Sequence, residues 1–135
     1  MTHSIVNPSE LHDPVAFGYS HVVRAPGGLV FIAGQYASDE QGHLTSPDFG
    51  EQVERSLTNL GTALAAIDLG FADVVQIRTH IVDHDADKLA VLLEHIGRIW
   101  GSHPPAQTLT GVAALALPGM LFEIDAIAVA PPLQP

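Results

Sequence analysis

Two carboxylates stand in the last apolar stretch of the sequence, where a buried strand is expected. Glu123 and Asp125 interrupt the otherwise apolar residues 120–130. Ionising a carboxylate against an apolar wall is costly, so its pKa rises toward the range that suits proton transfer near neutral pH. Glu123 is therefore a candidate for proton transfer, with pairing at a subunit interface as the structural alternative. Asp125, two residues further on, is expected to pair with a backbone or basic group.

Two polar side chains elsewhere are candidates for ligand binding. Gln107 follows the pair Pro104 and Pro105. Its neutral amide suits an amide, a ketone or another neutral polar group better than a carboxylate, which a guanidinium would hold more strongly. Tyr19 offers a ring wall and a hydroxyl, although half-buried packing is the commoner role of a tyrosine at a strand edge.

The histidines give weaker signals. The segment "HIVDHDAD", residues 80–87, resembles a metal site in composition. However, His80 falls in a predicted strand, His84 falls in the turn after it, and no third ligand has a fixed spacing, so a solvated acidic loop is favoured and no metal is predicted. Ser20 beside His21 forms no readable catalytic triad.

Composition limits the possible partners. The chain has 135 residues, which fits one domain over residues 1–135, and 47% are hydrophobic. Five basic residues against 15 acidic ones give a net charge of −10, which argues against nucleic acid and against an anionic membrane surface. There is no cysteine, so thiol catalysis and disulfides are excluded. With no signal-peptide pattern and no apolar run near the roughly 20 residues of a membrane span, a soluble, cytoplasmic protein is expected.

The elements that must position these residues follow from periodicity. Residues 1–16 are predicted to be an irregular arm. One apolar stripe predicts a helix that Ser46 or Asp48 caps, with Pro47 in its first turn and Gly70 at its left-handed end. The members of that stripe are Val53, Leu57, Leu60, Leu64 and Ile67. A second stripe predicts a helix over residues 89–100. Strands are predicted at 20–25, 29–35, 72–83, 106–116 and 120–130.

The order is strand pair, helix, strand, helix, strand pair. Strands joined by a helix are expected to be parallel, so both helices cover one face of a mixed sheet. In strand 72–83, Val75, Ile77, Thr79 and Ile81 are predicted to share a face. The second sheet face has no helix left to cover it, yet strand 120–130 is apolar on both sides. Such a face is expected to meet another subunit.

Four segments in this order resemble the Rid family, also called YjgF, the reactive intermediate deaminases. They are "GYSHVV", "LVFIAGQ", "NLGTALAAIDLGFADVVQ" and "PPAQTLTGVAALALPGMLFEIDAIAV", and the resemblance covers residues 14–130. It implies a chorismate-mutase-like α/β fold and a homotrimer with a cleft between each pair of subunits. It also implies hydrolysis of enamines or imines without a metal or cofactor.

The resemblance also assigns a site. Tyr19, Gly34 and Glu123 match the family pattern, with Glu123 as the catalytic residue that orients water. Gln107 replaces the carboxylate-binding arginine, beside a matching Ala106, and Ala33 replaces a serine. The asparagine that the family often has in its second helix aligns with Leu93 of this chain. The predicted site residues are therefore Tyr19, Ala33, Gly34, Ala106, Gln107 and Glu123. The resemblance predicts a divergent deaminase with a less charged pocket.

Two alternatives to that activity remain. Because the arginine is missing, one alternative is a trimer that binds a small metabolite without catalysis. The family's older suggestion, ribonuclease activity, fits poorly with five basic residues. Neither Arg24 nor Arg78 is a clear replacement for the lost arginine; Arg78 is expected to pair with an acid such as Asp125.

Overall fold

The computed structural model describes residues 2–131, which form one six-stranded mixed sheet and two helices. In chain order the elements are β1 Ser4–Val6, β2 Val22–Arg24, β3 Leu29–Gln35, α1 Phe49–Ala65, β4 Val74–Val82, α2 Ala86–Trp100, β5 Ala106–Val112 and β6 Phe122–Val129. The order across the sheet is β1-β2-β3-β6-β4-β5. Neither helix of this described part is long and apolar enough to cross a membrane.

The central strand is β6, which is antiparallel to both of its neighbours, β3 and β4. β3 and β4 are therefore parallel to each other, and β4 and β5 pair directly in parallel. The two helix crossovers predicted from the sequence are confirmed. The closing strand pair is wrong, because β4 separates β5 from β6. β6 carries apolar residues on both faces, although Glu123 and Asp125 also lie on one of them, and it pairs with a neighbouring strand on each side.

The N-terminal arm and the helix ends also differ from the prediction. Ser4–Val6 is not irregular but pairs with β2. Asp48 caps α1 by accepting the backbone N–H of Glu51 at 3.0 Å, so Pro47 precedes the cap instead of lying in the first turn. The left-handed residue after α1 is Asp68, with φ 60°, whereas Gly70 is extended and begins the next turn.

Both helices pack on one face of the sheet, where the core lies. The strands contribute buried Val30, Ile32, Ile77, Ile81, Phe122 and Ile124, and the helices contribute Leu57, Leu60, Leu64, Leu92 and Ile96. A bulge between Val74 and Gln76 breaks the predicted alternation of β4. It turns Val75 outward, where it is 48% exposed, and buries Val74 in its place.

The other sheet face has no helix over it within residues 2–131. Leu29, Phe31 and Val129 lie on it and are each about 40% exposed. The apolar open face predicted from the sequence is therefore present in the single chain.

Candidate active site

A bulge in β3 makes room for the side chain of Glu123. Ile32 pairs with Ala126 and Gln35 pairs with Ile124, so β3 carries one residue more than β6 across this interval. An added Cβ at Gly34 would lie 2.5 Å from Glu123 Oε1. Only glycine fits this position without moving the carboxylate.

Beside this bulge lies a cavity of about 410 Å³ at one end of the sheet. Its walls are mostly apolar and carry one carboxylate, one imidazole and two phenols. The lining residues are His12, Phe17, Tyr19, Ala33, Gly34, Tyr36, Ala116, Leu117, Met120 and Glu123. A small apolar pocket with a few convergent polar groups is the usual form of a small-molecule site.

Glu123 is the acid of the cavity. Burial raises the pKa of its carboxyl above the ordinary value, the charge of Asp125 raises it further, and His80 opposes the shift. No donor within the described chain forms a hydrogen bond with this carboxylate. Its oxygens are therefore available to a ligand or a water molecule.

The two phenols of the cavity stay protonated near neutral pH. Burial, with the neighbouring Tyr36 and Glu123, raises the pKa of Tyr19 to about 12. The pKa of Tyr36 is raised as well, chiefly by burial. Tyr36 donates its hydroxyl to the carbonyl of Gly42, whereas the hydroxyl of Tyr19 pairs with Nε2 of His12. Of the two, only Tyr19 has a hydroxyl whose partner is itself a cavity residue.

Sequence reasoning missed His12, which is buried with 3% exposure. It lies in the N-terminal arm, and its carbonyl accepts a hydrogen bond from His21 Nε2 at 2.9 Å. Gln35 Nε2 in turn lies 3.1 Å from His21 Nδ1. No local pattern distinguishes His12 from the other histidines, whereas Tyr36 could have been found because it directly follows the matched segment "LVFIAGQ".

Asp125 lies outside the cavity and pairs with Arg78, as expected from the sequence, and also with His80, which the sequence did not indicate. Arg78 Nε donates to its carboxylate at 2.8 Å, and His80 Nε2 lies 3.2 Å from it. Within residues 2–131 no group of three or more histidine or acidic side chains could hold a metal ion. His84 and the rest of the acidic loop therefore form no such cluster there.

The remaining predicted site residues lie elsewhere in the chain. Ala106 and Gln107 are on β5, at the edge of the sheet, and Gln107 Nε2 donates to Thr79 Oγ1 at 3.0 Å. Leu93 is 53% exposed on α2, and Arg24 borders a different depression. The single chain thus brings together Tyr19, Ala33, Gly34 and Glu123, and it does not bring Ala106 or Gln107 to them.

The chemistry available in this cavity is proton transfer on a small molecule. One carboxylate with a raised pKa and two neutral phenols line a cavity whose walls are mostly apolar. No lysine or arginine of the described chain lines the cavity. The walls therefore favour an uncharged or cationic ligand over an anionic one.

The chain is similar to a recognised family and to several solved structures. Residues 11–130 match the family model described as Endoribonuclease L-PSP. Protein DfrA of Myxococcus xanthus is 36% identical over 119 residues, 86% of this chain and 88% of that protein.

Among solved structures, protein YJGH has a TM-score of 0.87 at 30% identity, covering 98% of this chain and all of that one. YyfB of Yersinia pestis, a Rid-family protein of unknown function, has a TM-score of 0.73 at 38% identity, covering 96% and 100%. These similarities confirm the predicted fold.

Proposed function

The chain belongs to the Endoribonuclease L-PSP family, that of the Rid or YjgF proteins, and from this premise we propose that it hydrolyses small imines or enamines. The products are a carbonyl compound and ammonia. The observation that carries the proposal is the carboxylate of Glu123, which has a raised pKa, accepts no hydrogen bond from residues 2–131 and faces a cavity of about 410 Å³.

Imine hydrolysis needs a positioned water and a place for its proton. In the proposed reaction the Glu123 carboxylate accepts a proton from water as the water oxygen forms a bond to the imine carbon. The C=N electron pair moves to nitrogen, which takes up the proton held by Glu123. In the resulting carbinolamine the hydroxyl proton passes to nitrogen by way of Glu123 as the C–N bond breaks, which gives the carbonyl compound and ammonia. No metal or redox partner is needed to balance these steps.

The proposed substrates are imines without a carboxylate. The cavity of the described chain is lined by no cation, and the resemblance aligns Gln107 with the arginine of the family pattern. The same lack of basic groups disfavours RNA, whose phosphates need cations, although the family description names an endoribonuclease.

We further propose a homotrimer in which a neighbouring subunit completes each site. The open apolar face and the exposed β5 edge support association, and β5 carries both Ala106 and Gln107. Light scattering should give about three times 14.3 kDa at micromolar concentration. A monodisperse monomer would remove this part of the proposal.

A second candidate function is binding of a small metabolite without catalysis. The lack of any lysine or arginine in the cavity lining of the described chain favours it over hydrolysis of imino acids, whose carboxylate would need a cation. The same cavity serves both functions, so only turnover separates them.

The test is an assay of imine decay. An amino-acid oxidase supplies 2-iminopropionate, and an amine oxidase supplies an imine without a carboxylate; ammonia and the carbonyl product are followed with and without the protein. We expect the protein to accelerate decay of the imine without a carboxylate, and we expect Glu123→Gln to lose this acceleration. Spontaneous rates for both imines would refute the enzyme, and saturable binding of the carbonyl product would then support the binding protein.

A further inference from the structure

We infer that His12 is a positioning residue for Tyr19: its Nε2–H donates to the Tyr19 hydroxyl oxygen, so that the Tyr19 O–H is free to donate to an acceptor atom of the ligand. The inference depends on which ring nitrogen of His12 carries the proton. The pairing of His12 Nε2 with the Tyr19 hydroxyl permits either direction of donation.

The network beneath the cavity shows how the neighbouring histidine is protonated. His21 Nε2 faces the carbonyl oxygen of His12 at 2.9 Å, and a carbonyl only accepts, so this nitrogen carries the proton. His21 Nδ1 then accepts from the Gln35 amide at 3.1 Å, and that amide also donates to the carbonyl of Ala33 at 3.1 Å. Every polar atom of the His21 ring is satisfied, and the backbone of His12 is held in place.

His12 differs in having one nitrogen without a partner. Its Nδ1 is buried and finds no hydrogen-bond partner within residues 2–131. If Nδ1 carried the proton, a buried N–H would be left unsatisfied, which is rarer and costlier than a buried lone pair without a donor. A doubly protonated ring is disfavoured too, because burial and the nearby His21 lower the pKa of His12. The proton therefore belongs on Nε2.

This assignment decides what Tyr19 offers to the cavity. An oxygen that accepts from His12 still has its own O–H to donate, and no other partner within the described chain takes it. Glu123 supplies an acceptor and Tyr19 a donor to the same cavity. We therefore expect two contacts with the ligand. A hydrogen-bond donor of the ligand, or a water molecule, lies at Glu123, and an acceptor atom of the ligand, such as an imine nitrogen or a carbonyl oxygen, lies at Tyr19. This last step rests on the proposed function, whereas the tautomer does not.

The tautomer is measured directly by nitrogen NMR of the ¹⁵N-histidine-labelled protein at pH 7.5. Signals of His12 are assigned by their loss in His12→Phe or, if that variant does not fold, in His12→Gln. We expect Nδ1 at the shift of an unprotonated nitrogen and Nε2 at that of a protonated one. The reverse pattern, or two protonated nitrogens, would overturn the inference whether or not the protein has any activity.

The effect on the ligand is measured with a double-mutant cycle. His12→Phe and Tyr19→Phe are each expected to lower kcat/KM, or affinity for the carbonyl product, by roughly three- to tenfold, the usual effect of one hydrogen bond. The double variant should lose little more than either single one, and His12→Gln, whose amide can donate from the same place, should recover most of the loss. Additive losses with no rescue by glutamine would mean that His12 only supports the fold.

Discussion

Glu123 and Asp125 lie two residues apart on the same face of the central strand, yet their surroundings are opposite. Asp125 has a guanidinium at 2.8 Å and an imidazole at 3.2 Å. Glu123 has a cavity on one side, the backbone of Gly34 on another and no cationic hydrogen-bond partner within the described chain. Burial raises the pKa of the Glu123 carboxyl.

The difference shows that the neighbouring strands, not β6 itself, set the role of each acid. β4 supplies Arg78 and His80 to Asp125, and the bulge of β3 opens space beside Glu123. A paired carboxylate is a structural group, whereas one with a raised pKa in a cavity is suited to proton transfer.

The largest expected effect separates the two acids directly. Glu123→Gln removes the proposed base and should lower kcat/KM for an imine by about 100-fold or more. Asp125→Asn is the matched control, since it neutralises an acid on the same strand face outside the cavity, and it should stay within about threefold of wild type. Equal losses in the two variants, measured on folded protein, would contradict the division of roles.

The next effect comes from the space that Gly34 leaves. Gly34→Ala places a Cβ 2.5 Å from the present position of Glu123 Oε1 and must displace the carboxylate, so activity should fall by roughly 30-fold. Gly97→Ala on α2 is the control, because nothing lies within 4 Å of its added Cβ. That change should leave activity intact and stabilise the helix by up to about 1 kcal/mol. Unchanged activity in Gly34→Ala would show that the carboxylate position is not critical.

A smaller effect is expected when the cavity receives a guanidinium, the group that Arg78 provides to Asp125. In the proposed trimer Gln107→Arg brings a guanidinium to the site of the neighbouring subunit. It should raise kcat/KM for 2-iminopropionate by about tenfold. An imine without a carboxylate is the internal control and should gain nothing. No gain with 2-iminopropionate, in a variant that keeps its fold and trimeric mass, would remove Gln107 from the site.

The smallest effect is on stability. Because burial raises the pKa of Glu123 above the ordinary 4.5, the native chain holds this proton to a higher pH than the unfolded chain does. Stability is therefore lost as pH rises through the interval between the two values. Glu123→Gln should have a Tm close to wild type at pH 4 and a few degrees higher at pH 8. If the Tm difference between Glu123→Gln and wild type instead became smaller as pH rises, the pKa of Glu123 would be lowered by folding.

Some features were accessible to sequence reasoning because they depend on local periodicity. The stripe from Val53 to Ile67 predicts α1, and the apolar residues on both sides of strand 120–130 predict the open face. The sequence-based predictions were wrong where residues distant in sequence determine the local structure. The bulge that turns Val75 outward depends on the register with β6, and the pairing of Ser4–Val6 depends on the free edge of β2.

The sequence by itself determined the fold class, the two helices, the acidic character and the presence of Glu123 in an apolar strand. Only the tertiary structure decided that Glu123 faces a cavity while Asp125 faces Arg78, and that His12, from the N-terminal arm, reaches Tyr19. The physical reason is that periodicity records which side of an element is buried. A pKa and a hydrogen bond depend instead on groups from other elements, and their distances are set only when the sheet assembles.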